Sequence, residues 1–151
     1  MKKIFTVYTL LFAIFAIVEA ATYTRVGAKP ASWPGKYILV YEKSGTEAYV
    51  WDCEDAAGNY VKVALADGKI TSDVVDQYQI TINQESTNNY GLKTATGFVY
   101  TEAKKNSLGV DKSSAQGCQI QMNGSFADIT TNSGTQMMLF NVSGNRFRFY
   151  Y

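Results

Sequence analysis

From Lys36 to Tyr151 the chain sorts its side chains at every second position, and this period constrains the fold more than any other feature of the sequence. In QYQITIN (77–83), Tyr78, Ile80 and Ile82 take one face while Gln77, Gln79 and Thr81 take the other. CQIQMN (118–123) sets Cys118, Ile120 and Met122 against Gln119, Gln121 and Asn123. The closing RFRFYY (146–151) places Phe147, Phe149 and Tyr151 on a predicted core side, with Arg146, Arg148 and Tyr150 opposite. Ser44-Gly45, Gly58-Asn59, Asp67-Gly68, Asn123-Gly124, Ser133-Gly134 and Ser143-Gly144 stand between such runs, where tight connections need residues that tolerate unusual backbone angles. No segment repeats apolar residues at spacings of three and four over successive turns. SDVVDQY (72–78) predicts at most a single helical turn, capped by Ser72 or Asp73. About eight to ten short strands joined in this way predict an all-β domain, a single antiparallel β-barrel or β-sandwich.

The first 20 residues are of a different kind. Lys2 and Lys3 precede an apolar run from Ile4 to Val18, and the small residues Val18 and Ala20 suit cleavage before Ala21. This pattern predicts a signal peptide over 1–20, and with it a secreted or periplasmic protein. A short linker over 21–33 and a single all-β domain over 34–151 are expected to follow. Pro30 and Pro34 fall ahead of the first ladder, where they interrupt nothing. No later run is long enough to span a bilayer.

Lys2, Lys3 and Glu19 leave with the leader, so the 14 bases and 13 acids of the full chain become 12 and 12. A balanced charge with scattered bases argues against nucleic acid as a partner, because phosphate binding draws on clustered Lys and Arg. Two cysteines, Cys53 and Cys118, would enter an oxidising compartment. They are candidates for an intrachain disulfide, which would restrain the unfolded chain by roughly 4 kcal/mol in the loop-entropy view. The alternative is a pair of buried free thiols.

The chain has no histidine. Serine and cysteine triads and ordinary zinc hydrolase sites are therefore missing their usual base or ligand. Most carboxylates sit where turns want them, in DCEDAAGN (52–59) and at Asp67 and Asp111; Asp128 alone is placed inside a predicted strand. Asp52, Glu54 and Asp55 crowd one loop but do not follow the calcium-loop pattern. Neither catalysis nor a metal or other cofactor is expected. A carboxylate-dependent glycan hydrolase is the least favoured alternative.

Eleven tyrosines and two tryptophans point instead to binding, since an aromatic ring on a wet face is a platform for a sugar or a peptide. Tyr49, Trp51, Tyr60 and Tyr90, in strands or beside turns, are the candidate ligand-binding residues. The competing reading is that such rings simply fill strand positions in the core.

WPGKYILVYE (33–42), DGKI (67–70), YQITI (78–82) and YGLKTATGFVYT (90–101) together resemble a β-rich module of secreted Bacteroidetes proteins, often C-terminal in larger exported proteins. The resemblance rests on Gly35, Tyr37, Tyr41, Glu42, Gly68, Ile70, Tyr90, Lys93, Gly97 and Tyr100, and departs from the pattern at Ala95-Thr96. It implies an exported β protein and carries over no functional residues. The combined expectation is a non-catalytic binding module for a glycan, a peptide or an envelope protein. A structural or inhibitor-like protein acting through a protein surface is the alternative.

Overall fold

The computed structural model describes residues 21–151, and the leader expected at 1–20 lies outside the described residues. The fold is all-β and antiparallel. Its strands are β1 (Thr22–Thr24), β2 (Gly35–Tyr37), β3 (Val40–Glu42), β4 (Glu47–Trp51), β5 (Tyr60–Ala64), β6 (Lys69–Thr71), β7 (Ile80–Ser86), β8 (Asn89–Lys93), β9 (Phe98–Tyr100), β10 (Gly109–Lys112), β11 (Cys118–Asn123), β12 (Phe126–Thr131), β13 (Met137–Asn141) and β14 (Arg146–Tyr150). The count exceeds the expected eight to ten because several strands are only three residues long, too short to show a period in sequence. The single helical turn falls at Asp76–Tyr78 without a side-chain cap; Ser72 instead accepts the N–H of Val74 ahead of it.

Nine strands form one large sheet, in the order β10, β9, β8, β11, β12, β13, β14, with β7 on the other side of β8 and β2 beyond it. Strand β8 branches this sheet. Its Lys93 end pairs with Phe98 of β9 and its Tyr90 end with Cys118 of β11. A second sheet holds β3, β4 and β5, and a third pairs β1 with β6. The strand pairings close no barrel, and the sheets pack in a sandwich-like arrangement.

KYILVYE (36–42), a β-prone run expected to be one strand, breaks in the middle for a reason the pairing makes plain. Tyr37 pairs with Ile80 in the large sheet, whereas Val40 pairs with Val50 in the small one. At the crossing the Leu39 carbonyl accepts the N–H of Trp51. A strand that changes sheets at a corner gains two partners at the cost of its straightness.

Strand β4 is a wall between two cores. Trp51 faces the main core with Ile80, Ile82, Leu92, Ile120, Ile129, Phe147 and Phe149. Ala48 and Val50 face a second core with Leu65, Ile70 and Val75. The continuous apolar AYVW of this strand is what burial on both faces demands. Residues 21–33, expected as a linker, also take part. Strand β1 pairs with β6, the Tyr23 hydroxyl donates to Asp76 at 2.8 Å, and Trp33 is buried in the main core.

In the terminal strand the alternation holds for Phe147 and Phe149, which are buried, and fails at Tyr151, which is 65% exposed. Tyr151 lies one residue beyond the end of β14.

Candidate functional site

The four aromatic candidates divide according to which face of which sheet they occupy. Trp51 is 0% exposed and Tyr49 only 5%, so neither is a platform for a ligand, contrary to expectation. Tyr49 stacks on Tyr60 with ring centroids 4.3 Å apart, and Tyr41 stacks on Phe140 of β13 at 4.5 Å. Phe140 also meets Tyr49, Tyr60 and Phe147 edge-on. These five rings form the joint between the small sheet and the β13–β14 hairpin, where edge and stacked contacts add to area burial. Tyr60 is half-buried, and its hydroxyl donates to Asn145 Oδ1 at 2.9 Å. Lys43 and Lys62 approach the Tyr49 ring with their ammonium groups at 5.3 and 5.9 Å, closing the joint from outside.

Tyr90 turns inward beside Leu92, Val99, Cys118 and Phe149 around a void of about 10 Å³. That is room for no more than about one water molecule. Alternation thus puts Tyr49 and Trp51 inside and leaves Tyr60 and Tyr90 half-buried against the main core.

Both cysteines are buried free thiols, so the candidate disulfide is not formed. The Cys53 Sγ donates to the carbonyl of Tyr78 at 3.3 Å. Burial, with a smaller effect from the negative charge of Asp52, pushes the Cys53 thiol up. Burial alone raises that of Cys118 to about 12. Both stay protonated at neutral pH, and a protonated thiol is a poor nucleophile and metal ligand.

The acidic loop 52–59 is spent on its own geometry. Asp52 Oδ1 accepts the N–H of Glu54 at 3.3 Å and Asp55 Oδ1 that of Ala57 at 2.7 Å. The Asp52 carboxyl is shifted upward, first by burial and then by the charges of Glu54 and Asp55. Among the described residues no group of three or more His, Cys, Asp or Glu side chains could hold a metal ion. Asp128, on the outer side of β12, accepts from the Asn123 amide at 3.0 Å.

What is open is the other face of the β11–β14 meander. Registers fix its rows: Gln119 faces Thr130, Gln121 faces Asp128 and Asn123 faces Phe126. Across the next hairpin Met137 faces Tyr150, Leu139 faces Arg148 and Asn141 faces Arg146. Thr130 pairs with Met137, so the row Gln119, Thr130, Met137, Tyr150 runs continuously from β11 to β14. The β7–β8 hairpin pairs with only the first residue of β11. Beyond that pair a groove of about 280 Å³ opens, lined by Lys29, Asn88, Gln119, Ile120 and Gln121. Phe126 is 59% exposed on the same outer side, with the Arg25 guanidinium 5.9 Å from its ring centroid.

The polar face of CQIQMN was visible in sequence as alternation, and it carries Gln119 and Gln121. Lys29 and Asn88 carry no such signal, because only the folded chain brings them to that strand. Among the described residues no helix is long and apolar enough to cross a membrane. A scan against protein-family models finds no match to this chain, and neither the curated proteins nor the solved structures searched contain one similar to it.

Proposed function

We propose that this protein is an exported, non-catalytic binding module that holds a glycan against the outer face of the β11–β14 meander. The observation that carries the reading is the groove of about 280 Å³ lined by Gln119, Gln121, Lys29 and Asn88 together with Ile120. Amide groups both donate and accept, and an ammonium group donates three times, which matches the paired donor and acceptor character of sugar hydroxyls. The volume lies near the lower end for ligand sites and suits about one sugar unit of a longer chain lying on the sheet. The leader-like residues 1–20 and the resemblance to a secreted Bacteroidetes module support export. The non-catalytic reading rests on a sequence without histidine and on loop carboxylates committed to backbone N–H groups.

A second reading, a surface for an envelope protein, is favoured by Phe126, Leu139 and Val142, exposed apolar side chains of the same hairpins. Affinity electrophoresis of the protein lacking residues 1–20 through gels containing soluble polysaccharides separates the two. A retarded band that the double variant Gln119→Ala/Gln121→Ala releases supports the glycan reading. Migration unchanged in every gel overturns it in favour of the protein partner.

A further inference from the structure

Arg146 and Arg148 alternate with the buried Phe147 and Phe149, so both guanidiniums stand on the outer face of β14. Two residues along an extended strand set their Cα atoms roughly 7 Å apart. Neither takes part in the ion pairs among the described residues, which join Arg25 to Glu42, Lys43 to Glu47 and Lys105 to Glu102. The single carboxylate in the outer rows, Asp128, lies on β12, two strands away, and holds the Asn123 amide.

Each arginine also has a covered Nε with no hydrogen-bond partner, and the Tyr150 hydroxyl in the same row is covered and unpartnered too. Orphaned polar atoms of this kind are uncommon. Three in succession along one strand mark a place where the protein alone leaves its donors unused. Arg148 is held in part: its two Nη atoms reach the carbonyls of Asn106 at 3.3 Å and Ala56 at 3.5 Å, long contacts to neutral acceptors. A charged acceptor would compete well for that fork, because planar oxyanions bind guanidinium through two parallel hydrogen bonds.

We propose that the outer face of β14 is an oxyanion-binding stripe, in which the Nη ends of Arg146 and Arg148 receive successive carboxylates or sulfates of an acidic glycan. The inference rests on the glycan reading and narrows it to anionic polymers. The stripe stands on the last strand of the same meander, about three strand spacings or roughly 14 Å across the sheet from Gln119 and Gln121 on β11. A chain crossing the meander would meet amides first and guanidiniums last.

Binding of the protein lacking residues 1–20 to a polyuronate, to dextran sulfate and to neutral dextran, followed by titration at rising NaCl, tests this. The expected result is retention of at least one of the acidic polymers, weakened by salt. Arg146→Gln should reduce that affinity roughly tenfold or more, with less loss in Arg146→Lys, which keeps the charge without the fork. Arg148→Gln should act alike; because Arg148 also touches two loops, a thermal melt confirms that this variant is folded. The polyuronate and dextran sulfate arms tell carboxylate from sulfate. Equal retention of neutral dextran, or acidic binding indifferent to Arg146→Gln and to a folded Arg148→Gln, overturns the stripe and leaves the glycan reading standing. Retention of none of the three polymers overturns the stripe, and the glycan reading is then decided by the electrophoresis in other polysaccharides.

Discussion

The carbonyl of Gly58 accepts the backbone N–H of Phe147 at 2.8 Å, and by this bond a loop between β4 and β5 closes the outer edge of the last strand. Two residues on, the N–H of Phe149 is taken by the carbonyl of Ser107 at 3.2 Å. Both bonds leave β14 on the side away from β13. An exposed terminal strand would offer these groups to a neighbouring chain, and here two loops occupy them. Arg148 spans the same loops, and the N–H of Tyr151 reaches Asn106 Oδ1 at 2.8 Å.

Gly58 is required at that edge. Its φ is +72°, and a Cβ there would lie 1.9 Å from the Phe147 carbonyl oxygen, a backbone atom that has no room to yield. Gly58→Ala should destabilise the fold by about 3 kcal/mol through strain and lost edge bonding, read as a lower urea midpoint. Native-state hydrogen exchange should then find the Phe147 and Phe149 amides less protected. A midpoint within error of the parent would mean that the loop does not hold the strand.

Gln116 imitates a strand partner for Thr101. Its Oε1 accepts the Thr101 N–H and its Nε2 donates to the Thr101 carbonyl, both at 2.7 Å, at a residue that is almost wholly buried. Gln136, also buried, donates to the Thr101 hydroxyl at 3.0 Å and to the carbonyls of Glu102 and Lys105. Gln116→Ala strands two backbone groups and should cost about 2 kcal/mol. Gln116→Glu keeps the acceptor and loses the donor, so it should not restore stability; recovery in that variant would assign the effect to side-chain volume.

The thiols should make stability fall in alkali. An unfolded chain releases thiol protons near 9.0, whereas the folded chain holds that of Cys118 to about 12. Above 9.0 the unfolded state binds fewer protons than the folded one, so unfolding is favoured as pH rises. The contribution is complete below 9.0 and is lost through the window up to about 12. Tyr23, raised chiefly by burial, acts in the same direction. Urea midpoints measured across that window should decline, less steeply in Cys118→Ala. Iodoacetamide should modify neither cysteine in the native protein and both in urea; rapid labelling of the native protein would refute their burial.

Local chemistry reads clearly where a strand has one dry face and one wet face. QYQITIN and CQIQMN show their alternation because their two sides meet different surroundings, and Ile80, Ile82 and Ile120 are buried as that period requires. EAYVW misleads for the same reason in reverse. Both of its faces are dry, so Tyr49 and Trp51 look like surplus aromatics until the second core beneath Ala48 and Val50 is seen. Strand β1 and its partner β6 are three residues each, and such short strands owe their order to what they pack against.

The sequence by itself determined an antiparallel β protein, the inward Phe147 and Phe149 of its terminal strand and the outer positions of Gln119, Gln121, Arg146 and Arg148, because alternation is a property of each strand alone. Only the tertiary structure decided the corner at Leu39, the burial of the aromatic joint, the free state of Cys53 and Cys118, and the meeting of Lys29 and Asn88 with β11. Those depend on which strands pair and which faces meet, and contacts between distant parts of a chain leave no period in its sequence.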